Sequence, residues 1–110
     1  MKIIALNQNK DFRRLYYRGK SAAGKNLVTY VMKNRQRQTR VGITSSKKIG
    51  KAYQRNRARR VIRAAYAQLA PRLNGNYDIV FVARSATCSV KMQEVYKDME
   101  KQLFSLGAIK

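Results

Sequence analysis

The chain has 110 residues, enough for one domain with a single modest core, and a formal net charge of +20. Hydrophobic residues make up 45% of the sequence, which is too many for a disordered basic tail. Because the sequence has no His and a single cysteine, Cys88, imidazole catalysis, a zinc site and an internal disulfide are excluded.

The composition also indicates the cellular compartment of the protein. One free cysteine suits a reducing compartment, so a cytoplasmic protein is expected. Residues 1–6 are briefly apolar, but polar residues follow before the apolar region of a secretion signal could form. No apolar run approaches the ~20 residues that span a bilayer. Neither a signal peptide nor a membrane contact is expected.

The positive charge is concentrated in one part of the chain. Eighteen of the 25 Lys and Arg lie between Phe12 and Tyr77, where there is no acidic residue. Such a surface repels itself in the folded state unless a polyanion neutralises it. Each phosphate bound by a cation also releases condensed counterions. The charge pattern therefore predicts a nucleic-acid partner.

The few carboxylates do not form an evident nuclease centre. Two-metal nucleases need converging carboxylates, and the best candidates are Glu94, Asp98 and Glu100. Lys97 and Lys101 follow the first two at the i+3 position of a predicted helix, which is typical of ordinary ion pairs on a solvated face. We therefore expect a chain that has no catalytic residue and binds no metal through its own side chains.

A short helix is predicted first, with Asn7 or Asn9 as its cap and Gly19 as its end. Its apolar face would consist of Phe12, Leu15 and Tyr16. Residues 27–32 and 40–45 are rich in β-branched and aromatic side chains and predict two strands. The basic turn between them indicates a hairpin.

The clearest helix is predicted from Gln54 to about Arg72. One arc of its surface is apolar, comprising Ala58, Val61, Ile62, Ala65 and Leu69, and arginines occupy the opposite side. The apolar run 77–83 predicts a central strand. Ser85 or Ser89 would open a last helix that closes at Gly107. Its inner stripe would be Val90, Val95, Met99, Leu103 and Leu106.

These elements predict an α+β fold in the order αββαβα, with helices packed against a central sheet in a single domain, residues 1–110. The arginine-rich helix would link the second and third strands by a crossover that suits a parallel pair. Its handedness would be right by default.

The segment 45–63, SSKKIGKAYQRNRARRVIR, passes from a glycine-containing loop directly into this helix. It carries eight Lys and Arg and no acid. Free backbone N–H groups and the positive helix end beside such charges favour phosphate binding. Arginine can also form bidentate pairs with phosphate and stack on bases. A P-loop is excluded because its GxxxxGK[ST] spacing is missing. The alternative is a solvated basic helix face.

Aromatic side chains provide a second candidate surface. Phe12 and Tyr16 share a helical face, and Tyr30 lies on the first predicted strand. Aromatics beside basic residues can stack the bases of a single strand. Periodicity alone, however, favours core positions for Phe12 and Tyr16.

The run SKKIGKAYQRNRARRVIR resembles the signature of the protein subunit of bacterial ribonuclease P. The segments DFRRLYYRGK, TRVGITSSKK and YDIVFVAR resemble that family's first helix, second strand and third strand. The resemblance implies an αβββαβα order with a left-handed crossover. It also implies a ribonucleoprotein whose RNA subunit uses magnesium to remove the 5′ leader of precursor tRNA, while the protein binds the catalytic RNA and the leader and requires no protein partner.

The resemblance assigns roles to matching positions. Those expected to face the catalytic RNA are Lys47, Lys48, Lys51, Arg55, Asn56, Arg57, Arg59, Arg60 and Arg63. Those expected to line a leader-binding cleft are Phe12, Tyr16 and Tyr30. Tyr16 stands where the family often has Phe, which preserves stacking, and Ala58 stands where the family often has a larger aliphatic residue, which bears on packing.

Two other functions remain open from the residues alone. A structural RNA-binding protein, such as a small ribosomal protein, would need the basic helix but not an exposed aromatic patch. An autonomous nuclease would have to use Glu94, Asp98 and Glu100.

Overall fold

The most apolar segment of the chain, residues 77–83, forms the central strand of a mixed sheet. The computed structural model describes residues 4–6, 8–35 and 37–110, with the side chain of Lys47 outside the described part. The elements are β1 (Ile4–Ala5), α1 (Asn9–Arg18), β2 (Lys20–Ala23), β3 (Leu27–Lys33), β4 (Arg40–Thr44), α2 (Ala52–Leu69), β5 (Tyr77–Ala83) and α3 (Met92–Ser105). Short 3-10 turns occupy Lys47–Ile49, Ala70–Arg72 and Ser85–Cys88.

The strands form one mixed sheet in the order β1-β4-β5-β3-β2. Strand β5 is antiparallel to β3 and parallel to β4. The expected parallel crossover through α2 is therefore confirmed. A nearly continuous apolar strand gains most where both of its edges and both of its faces are covered, which explains the central position of β5.

The predicted hairpin between residues 27–32 and 40–45 is wrong. Strand β3 pairs with β2 and β5, whereas β4 pairs with β1 and β5. The sequence interpretation also missed β1 and β2, which are short edge strands. Strand β2, KSAA, has none of the β-branched or aromatic side chains that signal a strand. The αβββαβα order implied by the resemblance is present, preceded by β1, and the crossover hand stays a prediction.

The two faces of the sheet are covered unequally. Helices α2 and α3 pack on one face over a core that includes Val31, Ile79 and Phe81. The predicted apolar arc of α2 is buried, including Ala58. On the opposite face lies α1, whose Leu15 packs on Val80 in a smaller cluster.

Helix α1 divides that second face into two parts. The paired residues Tyr30, Val80 and Gly42 form the row beneath it, where Leu15 packs. The row Val28, Val82 and Thr44 lies on one side of this line, at the carboxyl ends of β4 and β5. The row Met32, Asp78 and Arg40 lies on the other side, at their amino ends.

The helix ends differ modestly from the expected ones. Helix α1 begins at Asn9 after Gln8, and Asn7 lies outside the described residues. Helix α2 ends at Leu69, and Pro71 falls in the following 3-10 turn. Helix α3 begins at Met92. The two predicted starting residues lie before it, because Ser85 begins the preceding 3-10 turn and Ser89 follows that turn.

Gly107, at φ +80°, follows α3 as expected. Among the described residues, no helix is both long and apolar enough to cross a membrane.

Candidate nucleic-acid interface

The basic segment enters α2 through a glycine turn. Gly50 has a φ of +138°, and a Cβ there would collide with the side chain of Gln54. Buried Ile49 anchors the turn, and the backbone N–H of Lys51 donates to Gln54 Oε1 at 2.8 Å. These contacts stabilise the loop-to-helix junction predicted from the sequence.

The outward face of α2 is exposed and cationic. Asn56, Arg60 and Arg63 are exposed on the side opposite the buried arc. In the described part of the chain, neither arginine forms an ion pair with a carboxylate. Lys48 and Lys51 are exposed just before the helix, whereas the side chain of Lys47 lies outside the description.

The remaining arginines of α2 are tied to the fold. Arg57 Nε donates to the carbonyl of Cys88 at 2.9 Å, and Arg59 Nη1 donates to the carbonyl of Ile43 at 3.0 Å. Arg55 is half-buried, so it lies at the margin of the open face rather than on it, and its contact with RNA stays a prediction. Its position on the helical wheel lies next to the buried arc, which could have been recognised from the sequence.

The three predicted cleft residues form one aromatic cluster. The ring centroids of Tyr16 and Tyr30 lie 4.9 Å apart in a T-shaped arrangement, and those of Phe12 and Tyr16 lie 6.5 Å apart. Tyr16 is 44% exposed, while Phe12 and Tyr30 are half-buried. The core placement favoured by periodicity is therefore wrong for Tyr16.

Phe12 and Tyr16 of this cluster line a depression of about 530 Å³, which we call the aromatic cleft, whereas Tyr30 packs on Tyr16 and is not among the described residues that line it. Its lining includes Phe12, Tyr16, Arg13 and Thr44. A Cβ on Gly42 would lie 2.6 Å from the Phe12 ring, so glycine at this position lets the ring rest on the strand backbone. The cleft thus combines aromatic faces with a nearby guanidinium group, as single-strand stacking requires.

A buried ion-pair network was not anticipated from the sequence. Arg40 donates from Nε and Nη2 to the two carboxylate oxygens of Asp78, at 3.0 and 2.8 Å. Asn34 Nδ2 also donates to Asp78 at 2.8 Å, and Asp11 lies 3.7 Å from Arg40. Burial opposes ionisation of Asp78, but the hydrogen bonds from Arg40 and Asn34 hold the pKa of its carboxyl below the ordinary value. An acid inside an apolar strand was the available signal.

Two carboxylates of α3, Asp98 and Glu100, have separate partners. Asp98 accepts a hydrogen bond from the backbone N–H of Asn26 at 2.9 Å, and Glu100 pairs with Arg72. The expected pairs of Glu94 and Asp98 with lysine are not among the ion pairs of residues 4–6, 8–35 and 37–110. Within the same residues, no three His, Cys, Asp or Glu side chains are grouped to hold a metal.

We expect folding of the free chain to depend on anions. Ion pairs among the described residues use only three acids, Asp11, Asp78 and Glu100. Because the net charge is +20, anions that bind the native state should stabilise it. Circular dichroism at low ionic strength should show partial unfolding that sulfate, pyrophosphate or RNA reverses. Full cooperative structure that sulfate leaves unchanged would contradict this expectation.

The fold and surface define a class of small α+β proteins that bind RNA. The family model described as Ribonuclease P matches residues 2–107. The ribonuclease P protein component of Clostridioides difficile is 43% identical over 102 residues, covering 92% of this chain and 86% of the relative. That of Clostridium botulinum strain 657 is 41% identical over 107 residues, covering 96% and 93%.

Solved structures agree with the sequence relatives. The RNase P protein of Staphylococcus aureus superposes with a TM-score of 0.86 at 28% identity, covering 99% of this chain and 100% of the other. The RNase P protein of Thermotoga maritima gives 0.77 at 26%, covering 88% and 92%. The chain belongs to the ribonuclease P protein family.

Family membership fixes the role of the chain. It is a protein component of the endoribonuclease ribonuclease P and works with the RNA subunit in 5′ maturation of tRNA. The reaction centre belongs to the RNA subunit. A ribosomal or other purely structural RNA-binding role is not favoured.

Proposed function

We propose that α2 binds the catalytic RNA while the aromatic cleft holds the 5′ leader of precursor tRNA. The observation that carries this proposal is the adjacency of the two surfaces. Arg59 reaches from α2 to the carbonyl of Ile43, and the next residue, Thr44, lines the cleft. One protein could thus contact the catalytic RNA and a single strand at neighbouring places.

The RNA contact would depend mainly on the outward residues of α2 and the lysines before it. Asn56, Arg60 and Arg63 are exposed, so their polar groups can meet phosphates without losing an internal bond. Arg57 and Arg59 keep donors besides the one used internally, because a guanidinium has five N–H groups. Arg55 would contribute through the outer part of its side chain.

The leader contact would depend on stacking. Tyr16 offers an exposed ring whose edge-to-face partner, Tyr30, fixes its orientation. Arg13 lines the same cleft and can bind the leader backbone. Stacking on a π-face tolerates any base, which suits leaders of different sequence.

The magnesium ions of the reaction are better suited to binding by RNA phosphates than by the carboxylates of this chain. Asp11, Asp78 and Glu100 are engaged by arginines, and Asp98 accepts a backbone hydrogen bond. The donor set is thus ill-suited to a two-metal centre, so we propose that RNA phosphates hold the ions of the reaction. The protein would favour them by organising these phosphates. Its work would take place in the cytoplasm.

The direct test is reconstitution. The chain should raise cleavage of precursor tRNA by a bacterial ribonuclease P RNA at low magnesium concentration. A metal titration of the protein without RNA should give no cleavage. Unchanged cleavage on addition of the protein would contradict the proposal.

Replacing Arg60 by Ala should weaken binding of the catalytic RNA. The slope of log affinity against log salt should fall by roughly 0.7–0.9 for one lost phosphate contact. Stability should change by less than ~0.5 kcal/mol, because the side chain is exposed. Arg57→Ala should weaken binding as well, but it also removes the bond to Cys88.

The matched control for this experiment is Lys101→Ala on the exposed side of α3. It removes the same charge from a different part of the molecule and should leave the slope unchanged. An identical effect of Arg60→Ala and Lys101→Ala would mean that only net charge matters. The face of α2 would then not be the RNA contact.

A further inference from the structure

A second cavity, of about 480 Å³, lies on the other side of α1 from the aromatic cleft. It sits at the amino ends of β4 and β5, beside the row of Met32, Asp78 and Arg40. We call it the amino-end pocket. Five of its lining residues are cationic: Arg14, Arg18, Lys33, Arg35 and Arg40.

The spacing of residues on α1 explains how one helix serves two cavities. Phe12 and Tyr16, four residues apart, lie towards the aromatic cleft. Arg14 and Arg18 are also four residues apart and lie towards the amino-end pocket. Leu15 lies between the two pairs and packs on the sheet. The helix therefore separates an aromatic surface from a basic one.

The floor of the amino-end pocket is held in place and its own charge is balanced. Arg40 is paired with Asp78 through two hydrogen bonds, and Asp11 lies near both Arg40 and Arg14, at 3.7 and 3.8 Å. This network ties α1, β4 and β5 together beneath the cavity.

The walls, by contrast, are not neutralised. Arg18, Lys33 and Arg35 have no carboxylate within 4.0 Å in the described part of the chain. Five cations with two nearby acids, Asp78 and Asp11, leave three positive charges around a concave surface. A cleft lined by charges of one sign concentrates counterions of the opposite sign.

Phosphate is the ligand chemistry that best matches this arrangement. Guanidinium groups on two sides can bind phosphate oxygens through paired N–H donors. Half-buried Met32 adds an apolar contact in the same cavity, against which the sugar or base of a nucleotide could pack. We propose that the amino-end pocket binds two neighbouring phosphates of an RNA strand and a nucleotide between them, separately from α2 and from the aromatic cleft.

The test uses the full chain with the double substitution Arg18→Gln and Arg35→Gln. Binding is titrated against salt twice, once with ribonuclease P RNA and once with precursor tRNA on the reconstituted holoenzyme in calcium. Two lost phosphate contacts should reduce the salt slope by roughly 1.4–1.8. A reduction in the first titration assigns the bound phosphates to the catalytic RNA, and a reduction in the second assigns them to the substrate.

The control is Lys97→Gln with Lys101→Gln, which removes two exposed charges from α3. It should leave both slopes unchanged. The proposal is overturned if the pocket variant changes neither slope, or if the control lowers them equally.

A single substitution tests the pocket with less risk of unfolding the protein. Arg35→Gln alone alters one exposed residue outside the helices and strands and should lower the slope by roughly 0.7–0.9. Circular dichroism in sulfate checks that each variant is folded. Failure of the roles proposed for α2 and the cleft would instead appear in Arg60→Ala and Tyr16→Ala, which leave this pocket intact.

Discussion

Replacing Asp78 by Ala should lower the free energy of unfolding by about 3–5 kcal/mol. Asp78 is 2% exposed and accepts two hydrogen bonds from Arg40 and one from Asn34. Its removal leaves the Arg40 guanidinium largely enclosed without its main counterion. Urea unfolding in constant sulfate measures the loss. A loss below about 1 kcal/mol would show that water solvates the unpaired Arg40 guanidinium well enough to replace its hydrogen bonds to Asp78.

The same network predicts a dependence on pH. The pKa of Asp78 is lower in the folded chain than in the unfolded one, so its stabilisation is fully present above the unfolded pKa. It is lost as pH falls through the folded pKa. Stability of the parent chain should therefore decline in acid, and its advantage over Asp78→Asn should shrink there. Glu94→Gln, at an exposed position, is the control and should keep the parental profile.

Replacing Tyr16 by Ala should reduce the preference of the holoenzyme for precursor over mature tRNA. Loss of one stacked base costs about 1–3 kcal/mol, which corresponds to roughly 5- to 150-fold in affinity. Mature tRNA lacks the leader, so its binding should stay the same. Both affinities are measured in calcium, which suppresses cleavage.

Matched substitutions separate stacking from packing. Tyr16→Phe keeps the ring and should retain selectivity. Tyr30→Ala should lower it too, but Tyr30 is half-buried in the cluster of Leu15 and Val80, so Tyr30→Phe is its control. Equal weakening of both tRNAs by Tyr16→Ala, or loss of assembly with the catalytic RNA, would contradict the leader cleft.

The helices were predictable because their signals are local. The apolar arc of α2 has the 3.6-residue period of a helix packed on one side, and its inner residues are buried as expected. The glycine at the end of α3 has the positive φ that such an end requires. These features need only the neighbouring residues to be recognised.

Strand pairing was less predictable because it depends on distant segments. Strands β3 and β4 are close in sequence, which favoured a hairpin, yet β5 lies between them. Strand β1 has two residues, and β2 consists of small and polar residues, so neither shows a strong strand pattern in the sequence. The partner of Asp78 was hidden for the same reason, since Arg40 is 38 residues away in sequence.

The candidate site was found partly by residue type and partly by resemblance. The exposed arginines of α2 follow from the helical wheel, except that Arg55 is half-buried. The helical periodicity alone would have placed Tyr16 in the hydrophobic core. Its exposure depends on α1 crossing only the middle of a sheet face, which no local pattern shows.

The central position of β5 also orders events during synthesis. Among the described residues, strands β3 and β4 share no ladder of hydrogen bonds, and each pairs with residues 77–83. A nascent chain that ends before Tyr77 therefore holds two strands whose common partner has not yet been made. Pairing between distant segments is slow, and unpaired edges are exposed meanwhile. The basic segment is translated before the sheet can close, so RNA can meet it on an unfinished protein.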